Sequence, residues 1–120
     1  MNGQALVGAA IVQPDGIADD GALLLEGGHI LGIVARDAVP AGYDTVALEG
    51  GWLLPGFIDT QVNGGGNILL NDQPDVEGIR AIASAHRRFG TTGLLPTLIS
   101  DDADVVDAVI AAGEAALVQG

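Results

Sequence analysis

Two carboxamide side chains follow an apolar segment and stand directly before a run of glycines. In the segment "LLPGFIDTQVNGGGN" they are Gln61 and Asn63, separated by Val62. Residues two apart in a β-strand point to the same face, so both carboxamides are predicted to face one side and Val62 the other. The residues alone allow two interpretations. The pair lines a binding site, or it caps the strand and starts a turn, since Asn-Gly is a common turn dipeptide.

Three neighbours of this pair are candidates for supporting such a site. A carboxylate within an apolar strand is costly unless it is paired, so Asp59 is expected to accept hydrogen bonds from nearby loop amides. The alternative is a structural role in which Asp59 organises the loops of the site. Gly64 and Gly65 are predicted to let the chain pass tightly beside it. Consecutive glycine amides also form anion-binding concavities, but this segment lacks the lysine and the serine or threonine of a P-loop. Phosphate binding there is the weaker interpretation.

The other polar groups give no metal site. His29 and His86 lie far apart in the sequence without an acidic partner at ligand spacing, so both are expected to be ordinary surface residues. Asp101, Asp102 and Asp104 are predicted to be charges in the first turn of a helix, where the helix dipole favours them. They do not form an EF-hand, because its glycine and its terminal glutamate are missing. No catalytic residue and no metal ligand is assigned within the sequence.

Short strands dominate the part of the chain that precedes the pair. Residues 1–54 contain the apolar run "ALVGAAIV" and a predicted hairpin of residues 22–25 and 29–35. Turn signals occur at "PDG", "EGG" and "PAGYD", and "TVALEGGWLLPG" supplies two more short strands. This part is predicted to be a small antiparallel sheet or part of a β-sandwich, the N-terminal portion of a small β-domain.

Strands alternate with helices in residues 55–120. "FIDTQV" is predicted to be a buried strand, and "DVEGIRAIASAHRRFG" a helix with Asp75 as N-cap and Gly90 at C′. "TTGLLPTLIS" is a short buried strand in which Pro96 marks an edge, a kink or the end, and a second helix follows "SDD". The apolar faces of the two helices are predicted from residues at helical spacing: Val76, Ile79, Ile82, Ala83 and Phe89 in the first, and Val105, Val109, Ala112 and Ala116 in the second.

This β-loop-α-β-loop-α order predicts the opening of a parallel α/β architecture, with right-handed crossovers. In an α/β barrel, functional groups lie at the carboxyl ends of the strands, and Gln61 and Asn63 stand at that end of the first such strand. Two strands and two helices do not close a parallel sheet. We therefore expect an N-terminal fragment of a larger protein, with an exposed apolar edge that leads to self-association.

Charge and composition exclude several classes of protein. The 120 residues include 16 acids and four arginines, which gives a net charge of −12. Such a chain repels phosphate backbones, so nucleic-acid binding is not expected. No apolar run reaches the length of a membrane helix, and no signal peptide is visible. The absence of cysteine excludes disulfides and thiolate metal sites, and it fits a cytoplasmic protein.

Two segments resemble a known family. "PGFIDTQVNGGGN", followed by "FGTTGLLPTLIS", is similar to the N-terminal region of the N-acetylglucosamine-6-phosphate deacetylases of the amidohydrolase superfamily. Many superfamily members carry His-x-His, which binds a divalent metal, where this sequence has Gln61 and Asn63. The deacetylases often carry Gln-x-Asn there. The resemblance covers essentially the whole chain, because the β-rich first half also looks like the small β-domain of the family.

The resemblance implies that residues 55–120 are the first two βα units of a (β/α)8 barrel. It also implies a metal-dependent hydrolase of the acetamide of N-acetylglucosamine 6-phosphate, in amino-sugar metabolism. One tightly held metal, zinc or iron, would be bound by a glutamate and two histidines beyond Gly120, and a later aspartate would act as general base and acid. Gln61 and Asn63 would line that site, with Asp59, Gly64 and Gly65 as structural support. The fragment alone is expected to be inactive, and the complete enzyme is expected to be a homo-oligomer that binds neither nucleic acid nor membrane.

Two alternatives remain open. One is another amidohydrolase, dihydroorotase-like or a cyclic amidase, although those usually keep His-x-His where this sequence has Gln61 and Asn63. The other is a non-catalytic interaction module, made from a degenerate barrel half that binds a partner through an exposed sheet edge. A downstream run similar to "HLEGP" favours the enzyme, whereas a stop codon after Gly120 favours the interaction module.

Overall fold

The computed structural model describes residues 3–119, which form two compact units. One unit extends to Pro55 and the other begins at Gly56. In the described residues, none of the helices combines the length and the apolar character needed to span a bilayer. The α/β class predicted from the sequence is confirmed, since strands dominate the first unit and strands alternate with two helices in the second.

The first unit contains two sheets and a short 3-10 helix, Arg36–Ala38. The strands are β1 (Gln4–Val7), β2 (Ala10–Gln13), β3 (Gly16–Ala18), β4 (Gly21–Glu26), β5 (His29–Ala35), β6 (Asp44–Ala47) and β7 (Trp52–Leu53). The larger sheet has the order β5-β4-β1-β6 and the smaller one β3-β2-β7. The predicted hairpin is confirmed as β4 and β5, which pair antiparallel across Gly27-Gly28.

The prediction of a purely antiparallel sheet is wrong, because both sheets are mixed. β1 pairs parallel with β6, and β2 pairs parallel with β7. The physical reason is the path of the chain. The run "ALVGAAIV" is divided into β1 and β2, which lie in different sheets. Later in the chain, β6 and β7 also lie in these two sheets, beside β1 and β2 respectively. The core of this unit is made by small and aliphatic side chains: Ala5, Val7, Ala9, Ile11, Ala22 and Leu24.

The second unit has the predicted strand and helix order, with a small hairpin added in the first loop. The elements are β8 (Phe57–Val62), β9 (Gly64–Gly65), β10 (Ile68–Leu69), α1 (Val76–Arg87), β11 (Thr91–Pro96) and α2 (Ala103–Gln119). Strands β8 and β11 are parallel neighbours joined through α1, and β9 and β10 pair antiparallel. Pro96 is the last residue of β11, which is one of its three predicted roles. Closure into a barrel stays a prediction.

Helix α1 begins as predicted and ends differently. The Oδ1 atom of Asp75 accepts a hydrogen bond of 2.7 Å from the backbone N–H of Gly78, which confirms Asp75 as the N-cap. Arg88 is the C-cap, so C′ is Phe89, and the predicted placement of Gly90 at C′ is wrong by one position; Gly90 has φ of +93°. Phe89 therefore no longer follows the helical period, and its predicted place on the apolar face is wrong, since it is 78% exposed.

The core of the second unit lies between β8 and the two helices. Its buried members are Val62, Leu70, Ile79, Ile82 and Ala112, and Val109 and Ala116 pack against them. This confirms the main part of both predicted apolar faces. The strands themselves are less buried than predicted, because Val62 is the one buried residue of β8, and β11 has none.

The 120-residue chain is expected to self-associate, because apolar side chains are exposed on the parallel strands β8 and β11 of its second unit. Ile58 is 73% exposed and Leu95 is 57% exposed. Exposed apolar side chains beside unpaired strand edges favour association. In sedimentation velocity, the weight-average mass should rise with concentration, and the double variant Ile58→Asn, Leu95→Asn should reduce that rise. Ile17→Asn, at an exposed isoleucine of the first unit, is the matched control. A wild-type chain that stays monomeric from about 1 to 300 μM, the range in which such association is common, would contradict the prediction.

Candidate functional site at the strand ends

The carboxyl ends of β8 and β11 are joined by two hydrogen bonds that meet at Thr97. The backbone N–H of Thr97 donates to the carbonyl of Val62 at 2.8 Å. The Nδ2 atom of Asn63 donates to the carbonyl of Thr97, also at 2.8 Å. Asn63, one of the two predicted carboxamides, is partly buried, and its hydrogen bond links the end of β8 to the end of β11. Its side chain is held in one orientation by this contact.

Gln61 is exposed, whereas Val62 is 3% exposed and belongs to the core. This difference fits the predicted alternation along β8. The backbone N–H of Gln61 donates to Oδ1 of Asp59 at 3.1 Å. The expected hydrogen bond between Asp59 and a nearby amide is therefore confirmed, although the amide belongs to the strand rather than to a loop. The site role of these residues stays a prediction.

The glycine segment after Asn63 is a tight β-hairpin. Gly66 and Asn67 form its turn with φ of +62° and +65°, a left-handed pair that only glycine and asparagine adopt readily. Gly64 and Gly65 pair with Leu69 and Ile68. Because the chain folds back on itself here, these glycines form paired strands, and an anion nest at this point gains no support.

His86 contacts this hairpin, so its predicted surface role is wrong. Its Nε2 atom lies 2.9 Å from the carbonyl oxygen of Gly64, and the side chain is partly buried. The sequence held a signal for this position, because His86 follows the buried Ile82 by four residues and therefore lies on the same helical face. His29 is exposed, as expected.

Asn71 is a second residue that the sequence reasoning missed. Its Nδ2 atom donates to the carbonyl of Ile99 at 2.8 Å and to Oδ2 of Asp101 at 2.6 Å. The backbone N–H of Ile99 donates to Oδ1 of Asn71 at 3.2 Å. Through these hydrogen bonds, Asn71 connects the segment after β10 to the segment after β11. No local pattern marks this contact, since the partners are 28 and 30 residues away.

The three predicted first-turn acids differ in position. Asp104 lies in the first turn of α2, as predicted. Asp101 precedes the helix and binds Asn71 instead. The Asn71 amide, and to a smaller extent the backbone N–H of Asp102, lower the pKa of Asp101 below its usual range. Asp102 accepts the first backbone hydrogen bonds of the helix through its carbonyl.

The donor set at the strand ends does not fit a metal ion. Residues 3–119 contain no group of three or more histidine, cysteine, aspartate or glutamate side chains that could hold one. Gln61 and Asn63 offer amide groups, and the Nδ2 atom of Asn63 is already directed at Thr97. The arrangement can orient a water molecule or a substrate group by hydrogen bonding.

Comparisons by sequence and by structure both find sugar-phosphate deacetylases. The chain is 54% identical over 61 residues to an N-acetylgalactosamine-6-phosphate deacetylase of Shewanella sp. (strain ANA-3), which covers 51% of this chain and 16% of the relative. It is 32% identical over 96 residues to an N-acetylglucosamine-6-phosphate deacetylase of Haemophilus influenzae, which covers 80% of this chain and 25% of the relative. No family model matches the chain.

A crystal structure of the N-acetylglucosamine-6-phosphate deacetylase from Pasteurella multocida has a TM-score of 0.92 and 28% identity with this chain. The match covers 98% of this chain and 31% of that one. The chain thus resembles an α/β portion of sugar-phosphate deacetylases, and it spans about a quarter or less of the curated relatives' length. Its particular similarity is to the N-acetylglucosamine-6-phosphate deacetylases, which confirms the resemblance seen in the two sequence motifs.

Proposed function

We propose that the protein to which this chain belongs hydrolyses the acetamide of an N-acetylhexosamine 6-phosphate. Water adds across the amide, the C–N bond breaks, and acetate and the amino-sugar 6-phosphate leave. The observation that carries the proposal is the structural match over 98% of the chain to a deacetylase. It is supported by the Gln-x-Asn pair at the end of β8, where an α/β barrel of this kind places its functional groups.

Within that reaction the chain supplies positioning groups. Gln61 and Asn63 line the site and orient water or the substrate by hydrogen bonds. Asp59 holds the backbone of Gln61, and Gly64 and Gly65 let the hairpin fold tightly after Asn63. The catalytic acid and base lie outside the residues described here, and so does any nucleophile-activating group.

A divalent metal, zinc or iron, is part of the proposal for the complete enzyme, and its ligands are expected elsewhere in the protein. The described residues do not fit such an ion, so no step of the reaction is assigned to it here. A homo-oligomeric state and a cytoplasmic location are likewise predictions for the complete enzyme.

The sugar is the point on which the relatives differ. The glucosamine derivative is the first candidate, because the sequence motifs, the longer sequence match and the solved structure agree on it. The galactosamine derivative is the second candidate, because the relative with 54% identity over 61 residues carries that name. The two sugars differ in configuration at one carbon, so a single assay series separates them.

The test begins with the DNA that follows the codon for Gly120. If the reading frame continues, the encoded protein is purified and assayed for acetate release from both N-acetylhexosamine 6-phosphates, with N-acetylglucosamine lacking the phosphate as control. We expect turnover of at least one phosphorylated sugar and none by the 120-residue chain alone. Hydrolysis of dihydroorotate or a cyclic amide instead would support the other amidohydrolase. A reading frame that stops at Gly120 would support the interaction module.

A further inference from the structure

We propose that His86 is a positioning residue for the carboxamide pair, acting through the carbonyl of Gly64. The expected effect of His86 on turnover rests on the proposed function. Its expected effect on the backbone after Asn63 does not. His86 is near the end of α1, and its Nε2 atom reaches the hairpin strand β9 at 2.9 Å from the Gly64 oxygen. Gly64 is the residue directly after Asn63, so this contact fixes the backbone on the carboxyl side of the site residue.

The contact determines which tautomer the neutral imidazole adopts. A carbonyl oxygen only accepts hydrogen bonds, so the nitrogen that faces it must carry a proton. Neutral His86 is therefore the Nε2–H tautomer, with Nδ1 free of its proton. The tautomer can be measured by spectroscopy. If His86 only filled space, the packing would not require this tautomer.

The glycines of the hairpin are explained by the same helix. A Cβ atom on Gly65 would lie 2.9 Å from Cδ2 and Nε2 of His86. A Cβ atom on Gly66 would lie 3.3 Å from the Cβ atom of Ala85. The hairpin thus lies directly against α1, and a side chain at position 65 would press on the imidazole that reaches the Gly64 carbonyl.

Asn63 is consequently held from two directions. Its side chain donates to the carbonyl of Thr97, the residue directly after β11, and its own carbonyl accepts the N–H of Leu70 at 2.9 Å across the base of the hairpin. His86 fixes the hairpin to α1 one residue later. Loss of the His86 contact would leave Asn63 attached to β11 while the following backbone moves, and small displacements of positioning groups reduce turnover strongly.

Four variants of the complete protein test the inference. His86→Ala removes the donor, His86→Phe keeps a ring without the donor, and His86→Gln restores an N–H donor of similar reach. Gly65→Ala pushes the imidazole away from the Gly64 carbonyl. His29→Ala is the matched control, because His29 is an exposed histidine of the other unit.

Two readouts separate the inference from the proposed function. Hydrogen exchange followed by mass spectrometry reports the amides of residues 63–70 without any assay of activity. His86→Ala and His86→Phe should accelerate exchange there roughly tenfold, the effect of one lost hydrogen bond, and His86→Gln should restore part of the protection. In the active enzyme the same variants should lower kcat by roughly tenfold with little change in KM.

Non-additivity is the sharpest outcome. Gly65→Ala should slow turnover in the wild type but have little further effect in the His86→Ala background, because the clash partner is then gone. Additive losses would overturn the inference, and so would a neutral His86 found as the Nδ1–H tautomer by nitrogen NMR. Unchanged exchange in residues 63–70 would do the same. A protein without deacetylase activity but with the predicted exchange pattern would refute the proposed function and leave the positioning role of His86 intact.

Discussion

Ile82→Ala is expected to lower the free energy of unfolding of the second unit by about 3 kcal/mol, the usual loss for a buried isoleucine cut back to alanine. Ile82 is 1% exposed and lies in the core between β8 and the two helices, together with Val62 and Leu70. This core is small, so the cavity left by the missing atoms cannot be filled by the few neighbours that remain. A loss of this size approaches the whole stability of a small domain.

The two units have separate probes. Both α-helices lie in the second unit, so circular dichroism at the helix band follows that unit in urea. Strands β4 and β5 pair in the first unit, so hydrogen exchange of their backbone amides in urea follows the other unit. Ile82→Ala should move the helix transition to lower urea and leave the exchange of β4 and β5 unchanged.

Ile110→Ala is the matched control for this experiment, because Ile110 is an isoleucine of α2 that is 56% exposed. Its substitution should change the free energy of unfolding by no more than about 0.5 kcal/mol. Equal losses in the two variants would mean that the core does not lie where Ile82 is placed. The measurements are made at a concentration low enough to keep the chain monomeric, given the exposed apolar residues on β8 and β11.

Features with local causes could be predicted from the sequence. The bounds of β8 were predicted correctly, because Pro55-Gly56 and Asn63-Gly64 punctuate an apolar segment at both ends. Asp75 was predicted as a cap because a short acidic side chain precedes the first residue of an amphipathic helix. The hairpin at Gly27-Gly28 follows from the same kind of punctuation.

Features that depend on distant contacts could not be predicted in this way. The parallel pairing of β1 with β6 results from the passage of the chain between two sheets, which no local pattern records. The contact of His86 with Gly64 joins residues 22 apart, and that of Asn71 with Ile99 joins residues 28 apart. The site role of Asn63 was suggested by spacing and resemblance, but its bond to Thr97 required the neighbouring strand to be placed first.

Asn63→Ala is expected to reduce kcat of the complete enzyme by about 100-fold, the loss typical of removing one oriented hydrogen-bonding group from an active site. The variant loses the 2.8 Å hydrogen bond to the Thr97 carbonyl and leaves that carbonyl without this donor. The free energy of unfolding should fall by about 1–2 kcal/mol for the same reason. Asn67→Gly is the matched control, because Asn67 lies in the same hairpin at φ of +65°, where glycine is readily accepted.

Asn63→Asp separates the orienting role from simple filling of space. Aspartate has the shape of asparagine but presents two acceptor oxygens, one of which would face the Thr97 carbonyl without a proton between them. If the donor to Thr97 is what holds the strand ends together, Asn63→Asp should lose as much turnover as Asn63→Ala, or more, despite its better fit. If Asn63→Asp instead keeps most of the activity, the bond to Thr97 is dispensable. The carboxamide pair would then be a turn device at the end of β8 rather than part of the site. Steady-state kinetics and urea unfolding of the three variants distinguish these cases. Only the orienting role predicts a large fall in kcat together with a small loss in the free energy of unfolding.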